Sequence, residues 1–301
     1  MAEGIIVTGC TSGMGREAAL ALAESGKTVI LVARNQVKLE LLQDEIAHLG
    51  GNAVAVLCDF SDLERVKKAA EQILALDVVL VGMANNAGMQ GVYAKKSAQG
   101  YELAAATNVF GPFTLAEMIL PHLAAGARVE FTVSAVEDPE RQFAVHAGFR
   151  GMRYTTIANM AQGIYPEGGS ANPGFDSYAT TKGALLACAL QFAGEYPHLK
   201  VNALEPGLTL GTGLGVEAQK PVLKFIAKYI LPLIGPLFSN RPNMSSPKKA
   251  GVLIARLVTT IDTTGVYYNE KGAPMEASKQ MQDESFRAGL VADLRGFLKR
   301  E

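Results

Sequence analysis

The feature that most constrains this chain is an alternation of short β-branched apolar runs with longer helical patterns, beginning at its first residues. Ile5-Ile6-Val7 leads into a helical pattern at Arg16 to Glu24, Val29-Ile30-Leu31-Val32 into one at Val37 to His48, and Val54-Ala55-Val56-Leu57 into one at Leu63 to Leu76. Val78-Val79-Leu80-Val81 precedes a helix from about Tyr101 to Leu123, Arg128 to Val133 precedes one from about Tyr178 to Glu195, and Val201-Asn202-Ala203-Leu204 closes the series. Each run is apolar almost throughout, as a strand must be when helices cover both faces of its sheet. The order predicts an α/β fold built on a doubly wound parallel sheet of six strands. No repeat, low-complexity tract or composition shift marks a second domain, so residues 1–301 read as one domain.

Two stretches break the rhythm. Ala135 to Ser177 is rich in glycine and isolated aromatics, and Gly207 to Ser246 is rich in proline and glycine. Both follow the C-terminal ends of strands, where open α/β sheets bind ligands. Lys and Arg number 28 against 29 for Asp and Glu, a net charge of -1. That balance gives no electrostatic case for nucleic acid or an anionic membrane and leaves a small molecule as the expected partner. Cys10, Cys58 and Cys188 are too scattered for a disulfide framework or a zinc cluster and read as reduced, buried thiols. His48, His122, His146 and His198 form no ligand-like pair, so no metal is expected. The first strand starts almost at Met1, which leads to the expectation of a cytoplasmic protein without a signal peptide. The longest apolar stretch, Val222 to Phe238, is broken by Lys224, Lys228, Pro232 and Pro236 and reads as a local helix rather than a membrane span.

The first strand runs into Thr8-Gly9-Cys10-Thr11-Ser12-Gly13-Met14-Gly15-Arg16 at the opening of a helix. Glycines there allow a tight turn and close approach of the backbone to a pyrophosphate, whose charge then sits at a helix N-terminus. Any β-α junction can use a glycine turn; this one stands in the first of six such units. Strand two ends Val32-Ala33-Arg34, with no acid to bind an adenosine ribose hydroxyl. Arg34 can instead pair with a 2′-phosphate, which points to NADP(H), and Arg16 is a second candidate. Tyr178 and Lys182 stand four residues apart on one helix face, where an ammonium is expected to pull the phenol's pKa down. A tyrosine so placed can give a proton to a forming alkoxide or take one from an alcohol. Taken singly, such a Tyr-Lys pair is commonplace packing, a strand-end serine such as Ser134 is a turn residue, and a mid-helix asparagine such as Asn108 is a packing residue.

The spacing of Gly9, Gly13 and Gly15 resembles the T-G-x-x-x-G-x-G turn of short-chain dehydrogenases/reductases of the classical type. Asn85-Asn86-Ala87-Gly88 after strand four, Asn108 in the next helix, Ser134 at the end of strand five, Tyr178-Ala-Thr-Thr-Lys182, and Pro206-Gly207 after strand six then match in order. The resemblance implies a Rossmann fold and a catalytic set of Asn108, Ser134, Tyr178 and Lys182. Ser134 would hydrogen-bond the substrate oxygen, Lys182 would also hold the nicotinamide ribose, and Asn108 would support a proton path through water. It implies cofactor contacts at Gly9, Thr11, Ser12, Gly13, Met14, Gly15, Arg34, Asp59, Asn86, Ala87, Gly88, Tyr178, Lys182, Pro206, Gly207 and Thr209. Asp59 would contact adenine; capping of the helix begun near Asp62 is its structural alternative.

Ser134 and Tyr178 are 44 residues apart (178 − 134), wider than in family members with minimal loops, so residues 135–177 are read as holding an insertion. In monomeric relatives such an insert covers helices that otherwise pair subunits, and a monomer or non-classical dimer is expected. Ser97 to Glu102 and Thr107 to Phe113 resemble the retinol-dehydrogenase and protochlorophyllide-reductase branch, which implies a lipophilic substrate. A substrate lid is expected at about 208–246, its core at Val216 to Asn240, where Val222, Phe225, Ile226, Tyr229 and Leu233 recur at helical spacing. Together these give an NADP(H)-dependent carbonyl/alcohol oxidoreductase. Its rivals are a carbon-carbon double-bond reductase of the same fold and a non-catalytic NADP-sensing protein.

Overall fold

The computed structural model describes residues 1–90, 95–209 and 241–300. The lid expected at Val216 to Asn240 lies outside the described residues. The strands are β1 (Ala2–Thr8), β2 (Thr28–Ala33), β3 (Asn52–Leu57), β4 (Val78–Asn85), β5 (Arg128–Thr132), β6 (Lys200–Leu204) and the short β7 (Leu208–Thr209), β8 (Met244–Ser245) and β9 (Tyr267–Tyr268). The helices are α1 (Gly13–Ala23), α2 (Gln36–His48), α3 (Leu63–Leu74), α4 (Leu103–His122), α5 (Gln142–His146), α6 (Ile157–Gln162), α7 (Pro173–Glu195), α8 (Pro247–Leu257), α9 (Lys279–Gln282) and α10 (Glu284–Leu298).

The main sheet is parallel and runs β3-β2-β1-β4-β5-β6-β9. It has seven strands where the apolar runs predict six. The extra one, β9, pairs through only Tyr267 and Tyr268, too short a run to register as a strand in sequence. Strand order reverses between β1 and β4, so the helices after these two strands leave to opposite faces and a crevice opens above their ends. Alternate residues feed two cores. Ile6, Ile30, Val56, Val129 and Phe131 pack beneath α3, α4, α7 and α10, while Ile5, Val7, Val29 and Leu31 pack beneath α1, α2 and α8. Each such fully buried aliphatic contributes about 1.5–3 kcal/mol relative to exposure, which makes the doubly covered sheet the rigid part of the molecule.

α7 begins five residues before Tyr178, because Asn172 accepts a cap bond from Gly174 N–H and Pro173 takes the first helical position. α4 is long and apolar enough by composition to cross a membrane, yet 72% of its most apolar window is buried inside the fold, as befits a core helix. α10 lies along α7 and α4: Arg295 bonds both Glu117 and Glu195, and Phe297 packs against Tyr101 and Phe110. Residues 135–177 fold as a short 3-10 turn followed by α5, α6 and the first residues of α7, and deliver Phe149 and Phe175 to Tyr178. All three cysteines are buried and unbridged.

Candidate active site

At the crevice, Thr8 closes β1 and its hydroxyl accepts from the amides of Asn86 and Ala87 at 2.9 and 2.8 Å. The Asn86 side chain in turn donates to Thr8 O at 2.9 Å. The turn after β4 is thereby fastened to the glycine turn after β1. Gly9 has φ 67°, and a Cβ there would stand 2.9 Å from Ala87 Cα; a Cβ on Gly15 would stand 2.5 Å from Gly9 O. Only glycine fits either place.

The α1 N-terminus beside this turn has Ser12 at its cap with no side-chain cap bond, and no acid in its first turn. Its amides are left to an anion, which is the arrangement a dinucleotide pyrophosphate requires. Thr11, Ser12, Gly13 and Met14 all lie at this helix opening. Arg34 is exposed at the end of β2. Arg16, the second candidate for a 2′-phosphate, is committed to the Glu45 carboxylate at 2.7 Å. Asp59 accepts from the Ser61 amide and hydroxyl at 3.0 and 2.7 Å, while Asp62 caps α3 itself.

α7 brings the catalytic candidates together. Lys182 Nζ donates to Thr132 O at 2.8 Å and lies 6.0 Å from the centre of the Tyr178 ring. A Cβ on Gly88 would sit 3.2 Å from Lys182 Nζ and 3.3 Å from Asn108 Oδ1, which places Gly88, Asn108 and Lys182 in one cluster. Asn108 occupies a π-helical stretch, Ala106–Phe110, within α4. Such stretches recur at functional sites because they re-aim a side chain. Asn108 accepts from Met89 N–H at 2.7 Å and donates to Met89 O and to Thr181 Oγ1. The Ser134 side chain, just past β5, neighbours the Tyr178 phenol and favours its ionised form. Pro206 is buried and Gly207, with φ 75°, turns the chain toward Thr209, whose hydroxyl donates to Gly207 O at 3.0 Å.

The electrostatics depart from expectation in one respect. The Tyr178 phenol is not drawn down but pushed well above its ordinary value, by burial first and by the charge of Glu205 second. The tyrosine ring sits among Val136, Ala144 and Phe149, with Phe175 stacked on Phe149 at 4.3 Å. That apolar nest, supplied by residues 135–177, desolvates the phenolate more than a neighbouring ammonium can offset. Burial also lowers Lys182 to about 8, against the opposing charges of Glu130 and Glu205. Sequence reasoning did not find Glu205, Phe149 or Phe175. The only signal for Glu205 was an acid closing an otherwise apolar strand. Among the described residues, no group of three or more His, Cys, Asp or Glu side chains could hold a metal ion.

The family model for short chain dehydrogenase matches residues 3–145. A short-chain dehydrogenase/reductase of Phomopsis amygdali is 29% identical over 245 residues, covering 75% of this chain and 68% of that protein. Human retinol dehydrogenase 11 is 34% identical over 121 residues, covering 40% of this chain and 38% of its own. The matched stretch spans from 38% to 68% of the length of the curated relatives. Among solved structures, a 3-ketoacyl-ACP reductase from Sinorhizobium meliloti 1021 aligns with a TM-score of 0.64 at 25% identity, covering 89% of this chain and 97% of that one. L-sorbose reductase from Gluconobacter frateurii, complexed with NADPH and L-sorbose, shares the fold with a TM-score of 0.66 at 19% identity, over 92% and 97% of the two chains. With the ordered glycine turn, Asn108, Ser134, Tyr178 and Lys182 gathered at one crevice, the chain belongs to the short-chain dehydrogenase/reductase family.

Proposed function

We propose that this protein is an NADP(H)-dependent oxidoreductase that interconverts a carbonyl and an alcohol on a lipophilic small molecule. The observation that carries the reading is the convergence of the Ser134 and Tyr178 hydroxyls with Lys182 beside an uncapped helix N-terminus. The glycine turn with Ser12 and Met14 would hold the pyrophosphate, Arg34 the 2′-phosphate, Asp59 the adenine, and Asn86 to Gly88 with Lys182 the nicotinamide ribose. Pro206, Gly207 and Thr209 would flank the nicotinamide. When bound, the nicotinamide supplies or accepts the hydride.

The chain's own part is proton chemistry and orientation. Ser134 hydrogen-bonds the carbonyl oxygen, and Tyr178 Oη–H gives its proton as that oxygen becomes an alkoxide. A phenol whose pKa is raised keeps this proton at neutral pH, so the arrangement favours reduction there, and oxidation gains as pH rises. Lys182, anchored on Thr132 O, stays beside the tyrosine and is placed for the ribose. Val136, Phe149 and Phe175 around Tyr178 favour a substrate with an apolar body. The 3-ketoacyl-ACP reductase and retinol dehydrogenase among its relatives support carbonyl-alcohol chemistry, and the NADPH complex of the sorbose reductase supports the cofactor. A cytoplasmic location belongs to the same proposal. The test is NADPH oxidation across a panel of ketones and aldehydes of graded apolar size, with each product identified. Turnover yielding alcohols supports the reading; a saturated carbon-carbon bond, or no turnover on any member, contradicts it.

A further inference from the structure

Glu205 lies at the end of β6, one residue before Pro206, with 6% of its surface exposed. In the β5–β6 ladder, Val133 N–H donates to Leu204 O at 2.9 Å. The next β5 amide that faces β6 is that of Ala135. On β6 the next amide to face β5 would be that of residue 206, but Pro206 has no N–H to give to Val133 O, so the ladder stops. The strands part there, and the Glu205 carboxyl fills the gap: Ala135 N–H donates to Oε2, and Gly207 N–H donates to Oε1 at 2.8 Å. The Ser134 side chain, next to Ala135, neighbours both this carboxyl and the Tyr178 phenol and favours the ionised form of each.

We infer that Glu205 is a positioning residue, whose carboxyl straps the strand end bearing Ser134 to the Pro206–Gly207 turn and sets which way the Ser134 hydroxyl points. The inference rests on the carbonyl-alcohol chemistry proposed above. Ser134 has one hydroxyl proton and two neighbours that can accept it. An ionised Glu205 takes that proton, turning the Ser134 lone pairs to the Tyr178 O–H and keeping the tyrosine protonated, the form that reduction needs. A neutral group at 205 releases the Ser134 proton toward Tyr178 and favours the phenolate, the form that oxidation needs. The charged and titratable groups around Glu205 are Tyr178 and Lys182 on α7, Tyr267 on β9 and Glu270 just beyond it. Glu130 on β5 acts on the same Lys182. Glu205 is the acid that bears on both Tyr178 and Lys182.

Glu205→Gln keeps the volume, removes the charge and sets an NH2 donor against one of the two backbone amides, so one bond of the strap goes with the charge. It is expected to lower kcat for reduction by about tenfold and to move the pH midpoint of alcohol oxidation down by about one unit, since one unit of pKa is a tenfold change in ionisation. NADPH affinity is expected to hold. Glu205→Asp keeps the charge but falls one methylene short of bridging both amides, so kcat falls in both directions with a midpoint near that of the wild type. A Glu205→Gln enzyme with unaltered midpoint and reduction rate, and only a lower Tm, would overturn the inference while leaving the carbonyl-alcohol reading intact. If the wild type turns over no carbonyl or alcohol, it is that reading which fails. The strap is then read by ultraviolet difference titration of Tyr178 with Tyr178→Phe as blank: earlier ionisation in Glu205→Gln supports it, and no change overturns it. Should Glu205→Gln not fold, wild-type rates in Glu205→Asp overturn the inference, and lowered rates with an unmoved midpoint support it.

Discussion

Arg16 and Arg34 show how neighbours decide what a guanidinium is for. Arg16 opens α1 close to the phosphate turn, yet Glu45 already occupies its fork. Arg34 is exposed at the end of β2, where the proposed dinucleotide would bring its adenosine ribose, and makes no ion pair among the described residues. A charge-assisted pair with a 2′-phosphate is worth about 1.5–3 kcal/mol, or roughly 10- to 150-fold in selectivity. Arg34→Ala is therefore expected to lose most of the preference for NADPH over NADH in kcat/KM, with kcat for NADPH at saturation little changed. Equal use of the two cofactors by the wild type would refute the assignment. Of the site's residues, Tyr178 and Lys182 were legible because a four-residue spacing on a helix is itself a geometric statement. Glu205 was not, since its partners, the amides of Ala135 and Gly207, are set by where the ladder fails. The direction of the Tyr178 shift was equally hidden, because Phe149 and Phe175 reach the ring from a stretch with no periodicity.

At the scale of elements, β5 carries an acid where the fold needs an apolar residue. Glu130 is wholly buried, receives the Thr132 hydroxyl at 2.8 Å on one oxygen, and has no hydrogen-bond partner on the other. Burial raises its carboxyl to about 8, with Lys182 only partly opposing. A folded pKa above the unfolded value means that its contribution is full below the ordinary carboxyl range and is lost as pH climbs through about 8. Glu130→Gln should flatten the decline of Tm between pH 5 and pH 9; the same slope in both proteins would show that Glu130 does not titrate there. Helix packing offers a second test. A Cβ on Gly251 of α8 would lie 2.5 Å from Glu17 Cβ and 2.7 Å from Ala18 N on α1. Gly251→Ala must push α8 from α1, at a cost of about 1–3 kcal/mol. Because α1 presents the phosphate turn, NADPH should bind more weakly as well, by calorimetry. Unchanged stability and affinity would mean that α8 shifts freely. The six long strands and their helices were legible because apolar runs between helical patterns leave one architecture. β9 was too brief to see, and the start of α7 at Pro173 was hidden because its first turn, Pro173 to Ser177, carries no apolar periodicity.

In the whole molecule, α4 and α7 are covered on one side by another helix of the same chain. α10 lies over both, assisted by α6 and fastened by Arg295 to Glu117 on α4 and Glu195 on α7. The sequence reading assigned that cover to residues 135–177, whereas the structure gives most of it to the C-terminal helix. We propose a monomer or a dimer formed elsewhere, to be read by light scattering; a tetramer built across α4 and α7 would contradict it. In the proposed mechanism a protonated Tyr178 delivers its proton to the substrate at the crevice. The most direct measurement is NADPH-dependent reduction by the wild type and by Tyr178→Phe, on whichever ketone of the panel the wild type turns over fastest, with NADPH affinity measured in parallel. Removing a general acid costs about 10²- to 10⁴-fold in kcat, and because the ring remains, NADPH should bind as before. A Tyr178→Phe enzyme that keeps near-normal kcat would place the proton source elsewhere and contradict the mechanism.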